Sequence, residues 1–330
     1  LAEAHFNLGV TLQDLGRLEE AEACLRKAIA LKSEYAEAHC CLGHVLNQLG
    51  SLEDAKASYE NAIAIKPDYT EALMSLSGMA RSIPEARGWV EKCLAADKNY
   101  ERAKLTCAAL KFYEGDKSAF NDLMLTAAKR HPLMRSFAWV FSLPKLPSLY
   151  FNRLAFFDAV VGQSIRSRPF YEFGVWRGMS FRYLIKAFGK GYGFDTFTGL
   201  PEDWHVGNGK YERAGTYSSD GNIPKIAGGE FIAGKFEDTL PMFFSEPRPM
   251  ASVINFDADL YSSTICALNY SKPVMDSQTL LIFDEMITHE CWEQDEFKAL
   301  NDFCLENNLS YEVVAVSFFT KQVAVKLIGI

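Results

Sequence analysis

The chain lacks most of what would fix it in a membrane, on nucleic acid or in an oxidising compartment. No apolar run approaches the roughly 18 residues that a spanning helix needs, and no charged leader followed by an apolar stretch opens the sequence. Lys and Arg number 34 against 42 Asp and Glu, for a net charge of −8. They nowhere gather into a basic run, so the footprint of a phosphate-backbone binder is missing. The cysteines, at 24, 40, 41, 93, 107, 266, 291 and 304, form no CxxC pair. Reduced structural thiols and a cytoplasmic setting are expected. The GxGxxG fingerprint of a dinucleotide site is also missing, which disfavours a nucleotide-dependent oxidoreductase.

What is present begins with a repeat. "AEAHFNLGVTLQDLGRLEEAEACLRKAIALKSEY" aligns with "AEAHCCLGHVLNQLGSLEDAKASYENAIAIKPDY". Gly9 matches Gly43, Gly16 matches Gly50, Ala21 matches Ala55, Leu25 matches Tyr59 and Ala28 matches Ala62, each at an offset of 34 residues. That period and its alternation of small and large positions resemble the tetratricopeptide repeat, a helical hairpin. Gly9 and Ala21 permit close helix approach, Gly16 makes the turn, and Pro67 ends the second unit. A third, degraded unit follows from Thr70, with "RSIPEARGW" in place of the turn, and a fourth helix pair runs from Glu101 to about Pro132. His5, His39 and His44 read as packing or surface residues rather than metal ligands. Repeat solenoids offer concave surfaces to partner segments, so protein binding or self-association is expected of residues 1–132. The chain starts at Leu1 on a repeat edge, and further repeats are expected before it.

Residues 133–168 read as an apolar, proline-containing linker packed between domains. It ends in a covering helix, "NRLAFFDAVVGQ". From Pro169 strands and helices alternate: "PFYEFGV", "GYGFDTF", "EFIAGKF", "ASVINFDA" and "QTLLIFDE" are strands separated by helices, and "YEVVAVSFF" and "QVAVKLI" flank a short turn. The expected fold of residues 169–330 is α/β, a doubly wound, mainly parallel seven-stranded sheet with a terminal antiparallel hairpin, typical of class I methyltransferases. Ligands in such sheets bind beyond the carboxyl ends of the strands. The Gly174 and Gly178 loop opens a helix whose N-terminus suits an anionic or nucleotide-like group. Asp195 ends the next strand, where a carboxylate accepts ribose hydroxyls.

The motifs "EFGVWRGMS", "GFDTFTGLPEDW", "GKFEDTLP", "DADLYSST" and "LIFDE", in this order, resemble the macrocin O-methyltransferase family, over about Phe151 to the end. The resemblance implies S-adenosylmethionine as methyl donor, a divalent cation such as Mg²⁺, and a hydroxyl acceptor on a sugar or other small molecule. It places Glu172, Gly174, Gly178 and Ser180 around the methionine end of the cofactor, Asp195 on the ribose, and Asp257, Asp284 and Glu285 on the metal. The family more often has two aspartates where this chain has Asp284 and Glu285. A metal-bound hydroxyl would lose its proton more readily.

Asp259 either supports the metal site or caps the helix beginning near Ser262, and the cap is preferred. His289 is a candidate general base, with a plain loop histidine as the alternative. His205 reads as a loop residue, with a place lining the same mouth as the alternative. The glycine-rich stretch between Pro201 and Gly229 is expected to be a lid, with Tyr211, Arg213 and Tyr217 as substrate contacts, or else a disordered insertion. A competing reading of the whole chain is a non-catalytic repeat scaffold whose second domain binds an adenosine ligand or nothing.

Overall fold

The computed structural model describes residues 1–330, which divide into two compact units, Leu1–Lys129 and Arg130–Ile330. The first unit is entirely helical: α1 (Ala2–Asp14), α2 (Leu18–Leu31), α3 (Ala36–Gln48), α4 (Leu52–Ile65), α5 (Thr70–Ser77), α6 (Ile83–Ala96), α7 (Glu101–Tyr113) and α8 (Ser118–Met124). Its first two hairpins are tetratricopeptide repeats, and the small residues explain their packing. A Cβ on Gly9 would meet Leu25 at 2.8 Å, and one on Gly43 would meet the Tyr59 ring at 2.5 Å. Ala21, Ala28, Ala55 and Ala62 are fully buried beside them. The third hairpin replaces the glycine turn with a helix-start device. The Glu85 N–H donates to Ser82 Oγ at 3.3 Å, the Glu85 carboxylate accepts from the Arg81 N–H at 2.9 Å, and a proline lies in the first turn of α6. Of the repeat histidines, His44 pairs with Ser75 Oγ at 2.9 Å and His39 with the Ser33 carbonyl at 3.1 Å.

The second unit contains α9 (Pro132–Ser142), β1 (Ser148–Leu149), α10 (Arg153–Gly162), β2 (Phe170–Phe173), α11 (Met179–Phe188), β3 (Gly191–Asp195), β4 (Trp204–Gly207), β5 (Lys210–Glu212), β6 (Gly229–Ala233), α12 (Phe236–Phe243), β7 (Val253–Phe256), α13 (Tyr261–Ser271), β8 (Leu280–Phe283), α14 (Glu296–Glu306), β9 (Ser310–Val316) and β10 (Val323–Ile328). The main sheet runs β1-β9-β10-β8-β7-β2-β3-β6. Its pairs are parallel except those of β10, which is antiparallel to both β8 and β9. This is the doubly wound, class I methyltransferase-like arrangement with its terminal antiparallel hairpin. It has eight strands rather than seven, because Ser148–Leu149 adds a short parallel edge to β9.

The segment read as a linker belongs to this unit. Phe137 of α9 is fully buried with its ring edge-on to Phe318 at 4.6 Å, and Arg135 pairs with Glu293 at 2.7 Å. Helix α10 joins the core of this unit. Asn152 caps it by accepting from the Ala155 N–H at 2.9 Å, and Phe156, Phe157, Val160 and Val161 enter the core with Phe170, Phe181 and Ile282.

One register feature positions everything that follows. Phe194, Phe173, Phe256 and Phe283 are paired in register across β3, β2, β7 and β8. Their rings stack at 4.9, 5.4 and 5.0 Å between neighbours. The residues immediately after them are Asp195, Gly174, Asp257 and Asp284. The aromatic row is the floor of the carboxyl edge, and the four candidate positions stand on it side by side.

Candidate functional site

Gly174 and Asp257 meet first. Gly174 has φ +90°, and a Cβ there would fall well inside contact distance of the Asp257 carbonyl. Only glycine lets the turn after β2 press against the end of β7. Gly178, with φ +75°, begins α11, which has no side-chain cap. The first N–H groups of that helix therefore have no intrahelical acceptor.

Glu172 lies beneath this turn, buried, with Oε1 accepting from Asn255 Nδ2 at 2.8 Å and Oε2 without a partner. Burial raises its carboxyl to about 8, with the Asn255 hydrogen bond opposing the shift. An unpartnered buried acceptor costs roughly 1–3 kcal/mol, which a donor carried by a ligand would recover. Ser180 is buried nearby, with Oγ 3.5 Å from Arg153 Nη1. An orphaned carboxylate oxygen, a cradle that a Cβ would fill and an uncapped helix start together fit the amino-acid end of S-adenosylmethionine.

Asp195, expected on a ribose, is engaged by the chain's own backbone. Its Oδ2 accepts from the Val175 and Trp176 N–H groups, both at 2.7 Å, and its Oδ1 from the Phe197 N–H at 2.6 Å. The carboxylate ties the loop after β2 to the loop after β3. Both loops hold non-glycine residues at positive φ, Trp176 at +47° and Phe197 at +58°. Such conformations cost energy and persist only where neighbours enforce them.

The acids gather as β7 and β8 require. Asp257 and Asp284 follow the paired residues Phe256 and Phe283. Burial, reinforced by Asp284, raises the Asp257 carboxyl well above its ordinary range, and burial reinforced by Glu285 does the same for Asp259. Asp259 is not the expected helix cap. It sits at φ +58°, and α13 starts after Leu260 with no side-chain cap. Glu296, from the start of α14, is buried with Oε2 accepting from the Glu285 N–H at 3.1 Å.

Two of the three acids expected to hold Mg²⁺, Asp284 and Glu285, are arranged as ion pairs. Asp284 Oδ2 accepts from Arg153 Nη2 at 2.6 Å and Oδ1 from Gln322 Nε2 at 2.7 Å. Both Glu285 oxygens accept from Lys321 Nζ, at 2.9 and 3.0 Å. A hard divalent ion wants carboxylate and water oxygens at about 2.0–2.1 Å in octahedral geometry. Here its oxygens would already be shared with a guanidinium and an ammonium, so these residues, as placed, do not fit it. Arg153, Glu296, Lys321 and Gln322 were not foreseen as part of the site.

His289 lies beside this cluster, its ring edge-on to Trp204 at 6.0 Å. Burial pushes it down to about 4, although the nearby Glu285 carboxylate opposes that shift. The Glu285 backbone also works against the shift, but neither ring nitrogen makes a hydrogen bond in good geometry. The imidazole is therefore neutral near pH 7.

The stretch between Pro201 and Gly229 is ordered around an antiparallel hairpin of β4 and β5. Trp204 is buried and donates to Asp295 Oδ2 at 3.1 Å, and His205 Nδ1 lies 3.5 Å from Cys291 Sγ. Tyr211 is exposed and contacts His205, Arg213 pairs with Asp203, and Tyr217 packs edge-on to Trp176 at 6.2 Å. Of these three, only Tyr217 lies against the loop after β2.

Profiles described as "TPR repeat" and "Tetratricopeptide repeat" match residues 11–50 and 36–69. No curated protein matches the chain. Among solved structures, the O-methyltransferase NovP is 21% identical, with 52% of this chain and 76% of that one covered and a TM-score of 0.38. The calicheamicin methyltransferase CalS11 is 18% identical, with 69% and 93% covered and a TM-score of 0.42. MamA is 25% identical, with 36% and 71% covered and a TM-score of 0.33. These likenesses are distant, and the strand order above carries the fold.

Proposed function

We propose that the second unit is an S-adenosylmethionine-dependent O-methyltransferase acting on a hydroxyl of a small molecule or glycan. In the same proposal the repeats bind a protein partner or a second copy of the chain. One observation supports this most: the unpartnered, buried Glu172 Oε2 lies under the left-handed Gly174 turn, at the strand ends that also carry Asp257.

Glu172 Oε2 would receive the ligand's ammonium, and the uncapped start of α11 with Ser180 would face its carboxylate. Asp195 holds the loop in the shape those contacts need. When bound, S-adenosylmethionine supplies an electrophilic methyl group. A hydroxyl acceptor must give up its proton as it attacks, and the Asp257 carboxylate is suited to take it. Burial beside Asp284 raises that carboxyl's proton affinity well above its ordinary range. Neutral His289 is a second acceptor on the hairpin side of the cluster. The buried Trp204 closes the hairpin against residues near Asp295 and keeps water from that side.

The test is methyl transfer from labelled S-adenosylmethionine to a panel of sugar and phenolic hydroxyls. Transfer lost in Asp257→Asn with ligand binding kept supports Asp257 as the base. A second reading, a scaffold that binds an adenosyl ligand without turnover, has the saturated Asp284 and Glu285 oxygens in its favour. Tight ligand binding with no transfer to any acceptor would select it.

A further inference from the structure

The closing hairpin between β9 and β10 is built around the candidate site in more detail than a short turn needs. Ser317, buried, donates its backbone N–H to the Gln322 carbonyl at 2.8 Å. Thr320 shares hydrogen bonds with Ser317 Oγ at 2.8 Å and with Gln322 Oε1 at 3.0 Å. Lys321 is held at φ +65°, a left-handed conformation that a lysine rarely adopts. The consequence is specific. Gln322, fully buried, reaches Asp284, and Lys321 next to it reaches both oxygens of Glu285. From the opposite side, the first residue of α10 supplies Arg153 to the other oxygen of Asp284.

We infer that Arg153 and Lys321 occupy the place of a divalent cation, so that the chain completes its own acid cluster and binds its adenosyl ligand without a metal. Two positive charges delivered by α10 and the β9–β10 turn offset the two carboxylates that would otherwise be ligands. Gln322 takes the remaining oxygen of Asp284, so both oxygens of that residue are engaged. Close acids repel one another unless a positive charge stands among them, and here the fold provides two. A divalent ion entering would have to displace both cations or sit against them, where like charges repel. Asp257 makes no ion pair of its own, but it hydrogen-bonds to Asp284 and lies within reach of the Arg153 charge. The inference rests on the methyltransferase reading only for what the site does, not for how its charges are paired.

The experiment is a titration of metal-stripped full-length chain with Mn²⁺, the free ion followed by its paramagnetic resonance, in wild type, Lys321→Gln, Arg153→Gln and Asp257→Asn. The wild type is expected to leave Mn²⁺ free, while Lys321→Gln gains affinity by about tenfold or more as a carboxylate is released. Lys321 lies in a turn rather than at the start of a core helix, so Lys321→Gln carries the test if Arg153→Gln fails to fold. One equivalent of Mn²⁺ bound by the wild type and lost in Asp257→Asn would overturn the inference. So would a Lys321→Gln variant that folds and gains no affinity. S-adenosylhomocysteine binding, measured on the same samples by calorimetry with and without chelator, separates the two readings. Binding indifferent to chelator supports the inference, whereas no binding at all sinks the methyltransferase reading and leaves the Mn²⁺ result to stand alone.

Discussion

A Cβ on Gly174 would fall on the carbonyl of Asp257, and Gly174 itself holds a left-handed conformation, so the two strand ends meet only through a glycine. Gly174→Ala adds both a clash with backbone and a strained φ. A loss of about 2–5 kcal/mol is expected in the stability of the second unit, together with loss of adenosyl-ligand binding. Urea unfolding followed by tryptophan emission checks it. An alanine variant of wild-type stability would mean that the two turns separate without cost.

Glu172 gives a pH dependence with a definite sign. Its ordinary value is 4.5 and burial raises it to about 8 in the folded chain. Below pH 4.5 both states hold the proton and the group contributes nothing to the pH dependence. Between 4.5 and 8 the unfolded chain releases the proton while the folded chain keeps it, so stability falls as pH rises through that window and levels off above it. Glu172→Gln removes this part of the slope, by an amount on the order of a few kcal/mol. Denaturation midpoints from pH 5 to 9 for both proteins test it, and parallel curves would contradict it. An ammonium-bearing ligand should also bind the wild type more tightly as pH rises toward 8.

Asp195→Ala is expected to act through the loops. Three backbone N–H groups lose a charged acceptor and two strained residues lose their tie. The expected cost is about 2–4 kcal/mol, with weaker ligand binding as a consequence of lost order. Asp195→Asn, which keeps one acceptor oxygen, should recover part of both. A variant that loses ligand affinity with no change in stability would instead favour direct contact with a ribose.

In the first unit, Gly43→Val drives a branched side chain into Tyr59. The helical transition of that unit should weaken by about 1–3 kcal/mol, read by circular dichroism on melting. An unchanged transition would mean the repeat packs less tightly than the fully buried Ala55 and Ala62 indicate.

Much of this was legible in the sequence. The 34-residue spacing of Gly9 and Gly43 identified the repeats because helix packing tolerates only small residues there. Apolar runs ending in Gly174, Asp195, Asp257 and Asp284 marked the strand ends, and the register confirms that those ends are neighbours. The pairing state of the acids was not legible. Arg153 reads as one more charge at the start of an apolar helix, and Lys321 as half of a turn. Neither spacing nor composition shows that both converge on "DE" from elements far apart in sequence. Asp259 misled because an acid just before a helix usually caps it, whereas here the chain turns left-handed and Leu260 takes the cap position. Asp195 occupies the place expected for a ribose acceptor, yet its hydrogen bonds go to the chain's own backbone, which a pattern of residues cannot reveal.

Whether the second unit cradles an adenosyl amino acid through Glu172 is tested most directly by calorimetric titration of S-adenosylhomocysteine into wild type and Glu172→Gln. One site per chain is expected, weakened about tenfold or more in the variant. No heat of binding in the wild type, or equal affinity in the two proteins, would contradict it.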